Sequence, residues 1–299
     1  METGHRPVLL EETLAILQPR PGGRYLDATV GLGGHAEAIL MESAPSGRLC
    51  GMDRDAEALA LARNRLGQFG DRVELAHGDF DRLGAIAAER GWIPFDGILF
   101  DLGVSSFQLD NASRGFSFMR EGPLDMRMDR RGDQRSAAEL LARISERELV
   151  TLLQEYGEER WARRIAARIV QERQTQPLTS TAQLARLVAA AVPRRAWPRR
   201  IHVATRTFQA LRIAVNDEMA RLMRGLQEAV QWLTTGGRIC VISFHSLEDR
   251  IIKETLRGWA RLEPPRVRLL TKRPIGPTDQ EVDANPRARS AKLRGAERC

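Results

Sequence analysis

Two hydrophobic periods alternate over the first hundred residues. Short apolar runs that end in acidic or turn-forming residues predict buried strands, and the stretches between them carry apolar residues three or four positions apart, which predicts helices. Strands separated in this way are typical of βαβ units and a parallel sheet. The predicted strands are 24–28, 48–53, 72–77 and 95–101, and the predicted helices are 35–41, 56–66 and 83–90.

The pattern changes beyond this region. Residues 105–135 are polar and rich in Gly, Ser, Arg and Asp, which indicates a long functional loop. Helical spacing then covers 137–191, where Ser180 or Thr181 is expected to cap a helix after the run PLTST. An amphipathic helix over 217–233 and an apolar strand over 238–244 resume the α/β pattern.

These elements predict an α/β fold of Rossmann-like type, with a mostly parallel sheet and an inserted all-helical domain. We expect the first part of the α/β domain at 1–109, the helical insertion at 110–210, and the second part with a basic tail at 211–299.

Composition excludes several classes of protein. With 299 residues and 42% hydrophobic residues, the chain is neither disordered throughout nor a small disulfide scaffold. It contains no apolar stretch long enough for a membrane span and no signal-peptide pattern. Its three cysteines are far apart and show no metal-ligand spacing. We therefore expect a cytoplasmic enzyme without a catalytic metal or a membrane partner.

Charge is distributed unevenly along the chain. The net charge of +7 arises from +7 in 110–210, +5 in 266–299 and −5 in the remainder. Two basic segments on an acidic body predict that a polyanion contacts those segments. The alternative is a solvated charged surface without a partner.

Four polar groups are predicted at consecutive strand ends. The glycine-rich turn 27–36 (DATVGLGGHA) follows the first strand, and glycines there let the backbone approach a ligand. Asp53 ends the second strand, where a carboxylate can accept both ribose hydroxyls, and Asp79 with Phe80 follows the third, suited to an adenine. Asp101 ends the fourth strand. Ligands of open α/β sheets bind at this edge, so these groups predict one nucleotide site.

Two cofactors fit the glycine turn. The spacing Gly31-x-Gly33-x-x-Ala36 satisfies the pattern of NAD-binding folds. Asp27 lies ahead of the glycines, however, where its charge would repel a pyrophosphate and attract the amino group or sulfonium of S-adenosylmethionine. We favour S-adenosylmethionine, and NAD remains the alternative.

The motifs also resemble a known family along almost the whole chain. The sequence closely resembles the RsmH (MraW) family of bacterial methyltransferases. The matching blocks are HRPVLLEE from His5, LDATVGLGGH from Leu26, GMDRD from Gly51, HGDF from His77, DLGVSSFQLD from Asp101, RGFSF from Arg114, PLDMRMD from Pro123, ATRTFQALRIAVNDE from Ala204, GGRICVISFHSLEDRIIK from Gly236 and NPRARSAKLR from Asn285.

The resemblance implies a class I S-adenosylmethionine-dependent methyltransferase fold. It also implies methylation of N4 of a cytidine in the decoding region of small-subunit ribosomal RNA. The chain departs from the family at Phe107 and Val203, where the family commonly has proline. By position, the cofactor contacts implied by the resemblance are Gly33, Gly34, His35, Asp53, Phe80, Asp101 and Gln108.

Catalytic candidates lie near the fourth and fifth strand ends. Asp101 is expected to orient the donor or the acceptor amine, with Ser105 and Ser106 lining the base pocket; the serines can instead satisfy loop backbone groups. His245, near Glu248 after the fifth strand, is a candidate proton acceptor. The alternative is a capping function for this segment, with Ser246 or Asp249 starting the next helix.

Basic segments supply the expected RNA contacts. Trp197 lies among arginines, a combination that offers phosphate attraction with a stacking surface, although Trp197 can instead anchor the insertion. The tail motif NPRARSAKLR can instead add a strand to the sheet. Methylation of another nucleic acid and a non-catalytic, cofactor-binding assembly factor remain alternatives. The expected RNA contacts are Arg114, Arg194, Arg195, Trp197, Arg199, Arg200, Arg287 and Arg289.

Overall fold

The computed structural model describes residues 7–199 and 201–299, and it divides into two compact units. The first contains the chain up to Gly103 together with Met219–Cys299, and the second is Val104–Glu218. The helices are α1 Leu10–Leu17, α2 Gly34–Glu42, α3 Ala56–Leu66, α4 Leu83–Glu89, α5 Ser106–Asp110, α6 Ala137–Arg143, α7 Glu146–Gly157, α8 Ala162–Arg173, α9 Thr181–Ala191, α10 Thr205–Asn216, α11 Glu218–Trp232, α12 Ser246–Ala260 and α13 Asp279–Ala284.

A seven-stranded sheet forms the centre of the first unit. Its strands are β1 Arg24–Asp27, β2 Arg48–Asp53, β3 Val73–His77, β4 Phe95–Asp101, β5 Leu233–Ser243, β6 Val267–Leu269 and β7 Lys292–Arg298. Their order is β3-β2-β1-β4-β5-β7-β6. Strands β1 to β5 pair in parallel, and β7 is antiparallel to both β5 and β6. The predicted Rossmann-like α/β class is confirmed.

Helices cover both faces of this sheet. Successive strand residues point to opposite faces, and because both kinds are apolar, each face is buried against helices. Tyr25 packs in a buried cluster with apolar residues of α1, α2 and α3. The next residue, Leu26, packs in a second cluster with residues of α4, α11 and α12. The sheet is therefore the middle layer of three, and the ends of its parallel strands lie between the helical layers.

The second unit is helical and has its own core. Apolar residues of α6 to α10 form one buried cluster. Among these five helices, α6, α7 and α9 begin with a capping box, in which the first serine and a Glu or Gln three residues later satisfy each other's backbone N–H groups. These serines are Ser136, Ser145 and Ser180, so the cap expected at Ser180 or Thr181 is Ser180.

Several elements differ from the sequence-based expectation, among them α5 within the predicted loop, α10 and β6, which were not expected. Strand β5 begins at Leu233 rather than 238, because Leu233 already pairs with Phe95 of β4 despite the polar and glycine residues that follow it. Helix α1 was not expected; its Ile16 and Leu17 are buried against the sheet. The tail does add a strand: β7 pairs with β5 from Lys292 to Glu297.

Candidate cofactor and active site

Three carboxylates end neighbouring parallel strands of the first unit. Asp27 ends β1, Asp53 ends β2 and Asp101 ends β4. Asp27 is in register with Gly51 of β2 and Leu99 of β4, so all three carboxylates lie at the same edge of the sheet. The edge predicted from the sequence therefore exists, and the three acidic residues meet there.

The glycine turn after β1 is fixed by backbone hydrogen bonds. The Val30 N–H donates to the Met52 carbonyl at 2.8 Å, and the Gly31 N–H donates to Asp53 Oδ2 at 2.8 Å. Gly33 is the N-cap of α2 with φ +83°, a left-handed conformation that favours glycine. A Cβ there would also lie 3.2 Å from the Leu66 side chain. Gly34 follows as the first residue of α2, so the turn leads backbone N–H groups toward the strand edge.

Asp53 accepts hydrogen bonds from the turn and retains exposed surface. Its Oδ1 accepts from the Asp55 N–H at 2.8 Å, in addition to the bond from Gly31. Burial raises its pKa to about 6, although these two N–H groups favour the ionised form and act in the opposite direction. Each oxygen keeps a second lone pair, which suits a carboxylate expected to bind ribose hydroxyls.

Asp27 is placed beneath the turn. It is only 1% exposed, and its Oδ1 accepts from the Thr29 N–H at 3.1 Å. Burial raises its pKa to about 7, and the nearby charge of Asp53 adds to this effect. Because so little of Asp27 is accessible, this geometry favours support of the turn over the direct cation contact expected from the sequence.

Asp79 and Phe80 follow β3, as predicted. Asp79 Oδ2 accepts from Arg221 Nη1 at 2.9 Å and lies 3.3 Å from Arg54 Nε. The half-buried Phe80 ring packs edge-on against Phe100, with ring centroids 5.5 Å apart. Two arginines thus hold the carboxylate beside an aromatic ring. Arg221 lies on α11, far away in sequence, and was not among the expected site residues.

Asp101 is connected to both the turn and α2. Its backbone N–H donates to Thr29 Oγ1 at 2.6 Å, and its Oδ2 lies 3.5 Å from Nδ1 of the buried His35. Within residues 7–199 and 201–299, Oδ1 of Asp101 has no hydrogen-bond partner, while the side chain is 28% exposed. Its pKa lies well above the ordinary value because of burial and the negative charges of Asp27 and Glu248.

Ser105, Ser106 and Gln108 follow Asp101 along the chain and belong to the second unit. Ser105 caps α5: its Oγ accepts from the Gln108 N–H at 3.2 Å, and Gln108 Oε1 accepts from the Ser105 N–H at 3.1 Å. Ser105 and Gln108 thus complete a capping box, the backbone-satisfying alternative considered for the serines. Ser106 is half-buried at the start of α5, and Phe107 lies within this helix.

His245 is the N-cap of α12. Its Nδ1 accepts from the Glu248 N–H at 3.4 Å, and its Nε2 lies 3.1 Å from Glu248 Oε1. Glu248 Oε2 accepts in turn from the Phe244 N–H at 2.8 Å. The capping alternative describes this segment, with His245 itself as the cap rather than Ser246 or Asp249. Both ring nitrogens of His245 face Glu248, which leaves its expected function as a proton acceptor without support from the geometry.

Arg114 is buried, in contrast to its expected contact with RNA. It is 1% exposed, and its guanidinium Nη2 donates to the carbonyls of Arg127 and Met128 at 3.2 and 2.8 Å. The buried Asn216 holds the same segment, since its Oδ1 accepts from the Met128 N–H at 2.9 Å and its Nδ2 donates to the Met126 carbonyl at 2.7 Å. Arg114 therefore fixes the loop, and we exclude it from the proposed RNA surface.

The other expected RNA residues lie mostly at the surface of their units. Trp197 is half-buried: its Nε1 donates to the Val192 carbonyl at 3.1 Å, and the Arg194 guanidinium stacks 4.5 Å from its ring. It therefore anchors its own segment and also carries a cation. Arg200 lies outside the described residues. The exposed members of the set are Arg194, Arg195, Arg199, Arg287 and Arg289.

A further basic surface was missed. Four exposed arginines lie along one face of α8 and the turn before it, and the guanidinium of one of them, Arg164, stacks 5.5 Å from the Trp161 ring. The second, third and fourth arginines follow the first by three, four and eight residues. This spacing is typical of residues on one helical face, so the row could have been recognised in the sequence. We call this set the α8 arginine row; it consists of Arg160, Arg163, Arg164 and Arg168.

Among the helices of the described residues, none combines the length and the apolar character needed to cross a bilayer. The expected absence of a catalytic metal stays a prediction.

Comparisons with known proteins agree with the resemblance seen in the sequence. Curated relatives named ribosomal RNA small subunit methyltransferase H come from Geobacter sulfurreducens, 51% identical over 100% of both chains, and Pelobacter propionicus, 52% identical over 98% of both. Solved structures include SMU.1697c from Streptococcus mutans in complex with SAH (10% identity, TM-score 0.47, 99% of both chains) and an rRNA methylase from Streptococcus thermophilus (11% identity, TM-score 0.44, 97% and 93%). The model of the MraW methylase family matches residues 2–299, and the chain belongs to this family.

Proposed function

We propose that this protein transfers the methyl group of S-adenosylmethionine to the exocyclic N4 amine of a cytidine in the decoding region of small-subunit ribosomal RNA. The observation that carries the proposal is the set of three carboxylates around a glycine turn at one sheet edge, in a member of a methylase family. The names of the relatives supply the substrate class, and the sequence resemblance supplies the base and its position.

The cofactor binds at the edge formed by β1, β2 and β4. Asp53 accepts the ribose hydroxyls, while Asp79 and Phe80 bind the adenine by accepting its amino group and stacking on the ring. The backbone of Gly33 and Gly34 approaches the cofactor, and the absence of a Cβ lets this turn pack against Leu66 and Pro7. Membership of a methylase family favours S-adenosylmethionine over the NAD alternative, since the donor of a methyl group must carry one.

Asp27 and Gln108 act on the cofactor site indirectly. Asp27 shapes the turn through Thr29, and Thr29 also accepts the Asp101 N–H. Gln108 completes the capping box that starts α5, a few residues after Asp101 in the chain. Ser106 remains a candidate for the base pocket, while Ser105 holds the start of the same helix.

The chemistry at the amine requires alignment and a proton acceptor. The N4 lone pair is delocalised into the cytosine ring, so the amine is a weak nucleophile, whereas a sulfonium has a neutral leaving group. Holding nitrogen, methyl and sulfur in line can supply about 7–11 kcal/mol. The Asp101 side chain is 28% exposed at the strand end, and its carboxylate accepts the amine hydrogen and localises the lone pair of the amine.

RNA is bound by basic surfaces of the second unit and of the tail. Val104–Glu218 carries a net charge of +6, which nearly equals that of the whole chain. Arginine beside tryptophan combines phosphate attraction with base stacking, and this occurs at both Trp161 and Trp197. We propose that the helical unit recognises RNA through the α8 arginine row together with Arg194, Arg195 and Arg199, and that Arg287 and Arg289 of the tail contribute.

The first experiment measures transfer of labelled methyl from S-adenosylmethionine to small ribosomal subunits that lack the modification, beside free ribosomal RNA and DNA. The product is digested to nucleosides. Label in N4-methylcytidine from ribosomal RNA supports the proposal. Label in DNA would indicate another nucleic acid as substrate, and cofactor binding without transfer to any acceptor would favour an assembly factor.

Two variants of β4 test the catalytic assignment. Asp101→Asn is expected to lower turnover by roughly a hundredfold, the low end of what a positioned proton acceptor contributes. Asp96→Asn is the matched control, because Asp96 lies at the opposite end of the strand, where its carboxylate binds Arg20 and the Arg24 N–H. SAH binding is measured separately for both variants. Unchanged turnover in Asp101→Asn would refute its assignment.

A further inference from the structure

His35 connects two distant parts of the first unit. It is the second residue of α2, and its ring is almost completely buried. Nε2 lies 3.0 Å from the Val8 carbonyl oxygen, ahead of α1, and Nδ1 lies 3.5 Å from Asp101 Oδ2. The imidazole is thus held from both sides, with one nitrogen against backbone and the other against the proposed catalytic carboxylate.

The chemistry of these partners determines where protons must lie. A carbonyl oxygen can only accept, so the contact with Val8 requires a hydrogen on Nε2. In a neutral imidazole, Nδ1 then carries a bare lone pair, which faces a carboxylate oxygen. A favourable contact at 3.5 Å requires one further proton, either on His35 Nδ1 or on Asp101 Oδ2. The pair therefore holds one proton between its two members.

The surrounding charges favour retention of this proton. Asp27 at the end of β1 and Glu248 on α12 are the groups whose negative charges act on Asp101, and α2 contributes His35. Because two carboxylates and a single imidazole act on Asp101, the loss of the proton would leave several negative charges facing one positive group.

We propose that His35 is a positioning residue that takes up this proton when the methyl donor is bound, so that Asp101 is an ionised carboxylate that accepts the hydrogen of the substrate amine. The inference rests on the proposed function. It goes beyond the cofactor contact expected at this position, because the imidazole acts through Asp101. The positive charge of the sulfonium stabilises the carboxylate and shifts the proton toward His35 Nδ1.

The amine nitrogen attacks the methyl carbon, a C–N bond forms, and the S–CH₃ bond breaks with its electron pair retained by sulfur, which leaves as the neutral thioether. The nitrogen then loses one hydrogen as a proton to the Asp101 carboxylate, and its N–H electron pair returns to the ring-conjugated amine. The 28% exposure of the Asp101 side chain gives that proton a route to solvent.

Two substitutions of His35 separate this function from simple anchoring. An asparagine amide nitrogen occupies the place of Nδ1 and keeps a donor toward Asp101, whereas a glutamine amide nitrogen occupies the place of Nε2 and keeps the bond to the Val8 carbonyl. Neither amide can take up a proton, so both variants lose the imidazolium, but His35→Asn still donates to Asp101 and is expected to keep more turnover than His35→Gln. His35→Gln is expected to lose roughly tenfold or more at neutral pH, less than the roughly hundredfold or greater effect of a group that exchanges a proton with the substrate, because His35 acts through Asp101.

The pH profile is the second measurement. Without the imidazolium, the acidic groups around Asp101 keep it protonated to higher pH, so the acidic limb of kcat is expected to move upward by about one pH unit in His35→Gln. Thermal unfolding and SAH binding of both variants establish that the fold and the cofactor site are intact. If anchoring to Val8 is the only function, His35→Gln keeps its turnover, His35→Asn loses it, and neither profile moves; that result overturns the inference. Absence of transfer by the wild-type protein would instead refute the proposed function.

Discussion

Asp53 is expected to make cofactor binding depend on pH. Burial raises its pKa to about 6. Hydroxyl groups donate more strongly to a carboxylate than to a carboxylic acid, so the ribose selects the ionised form and binding releases a proton when the free site is protonated. At pH 5 about one site in eleven is ionised, and at pH 8 nearly all are. The Kd for SAH is therefore expected to be about tenfold weaker at pH 5, which corresponds to roughly 1.4 kcal/mol.

Isothermal titration calorimetry with SAH between pH 5 and 8 measures this dependence. Repeating each titration in two buffers with different ionisation enthalpies gives the number of protons released. Asp53→Asn is expected to bind more weakly at pH 8 and to lose the dependence centred near pH 6. Asp27→Asn is the matched variant at the same sheet edge. Asp27 is inaccessible and has a pKa of about 7. If Asp27 took part in binding directly, the affinity for SAH would also change with pH around 7.

The outcome distinguishes the two carboxylates. An affinity for SAH that stays constant from pH 5 to 8 would refute the assignment of Asp53 to the ribose. If Asp53→Asn keeps the pH dependence of SAH affinity, another group is responsible for that dependence. If Asp27→Asn loses it, Asp27 contacts the cofactor directly, as expected from the sequence. Circular dichroism at each pH establishes that the protein remains folded.

Other predictions concern stability and RNA binding. Asn216→Ala leaves buried backbone groups without partners and is expected to lower the free energy of unfolding by about 2–4 kcal/mol in urea titrations. Gly115→Ala places a Cβ against facing backbone at φ +72°, so a loss of at least about 2 kcal/mol is expected in the same assay. The pKa of Asp27 is raised in the folded protein, so ionised Asp27 increasingly destabilises the fold as pH rises from about 4 to 7. The difference in free energy of unfolding between Asp27→Asn and wild type is therefore expected to be about 2–3 kcal/mol more favourable to the variant at pH 8 than at pH 5. Replacing the α8 arginine row by glutamine is expected to reduce the salt dependence of RNA binding by about 0.7 in log–log slope per lost phosphate contact, whereas Arg63→Gln and Arg257→Gln leave it unchanged.

The strand edge could be predicted from sequence because it follows from local rules. A short apolar run fixes a strand, and the alternation with helices fixes the parallel direction of each strand. Asp27, Asp53 and Asp101 then fall at one edge without any knowledge of packing. The same reasoning predicts a nucleotide site at this edge, and it explains why the fold class was confirmed.

Burial and long-range partners could not be predicted in this way. Arg114 looks like a surface charge in a polar loop, yet its carbonyl partners turn it inward. His35 and Asp101 are brought together only by the pairing of β1 with β4 and the packing of α2. The arrangement of Asp79 between Arg54 and Arg221 likewise depends on α11, which returns to the sheet only after the whole helical unit. Such contacts depend on tertiary structure, and residue type alone does not specify them.

The charges of the two units suit two different ligands. The strand edge concentrates carboxylates with raised pKa values, which favours a cationic donor and opposes phosphate. The second unit carries a net charge of +6 and exposed arginines, which favours the RNA backbone. A nucleotide that reached the carboxylates with its phosphates would be repelled, so we expect only the neutral base to enter, turned out of its stack. On this basis, arginine substitutions should weaken RNA binding without changing the affinity for SAH, and carboxylate substitutions should do the reverse.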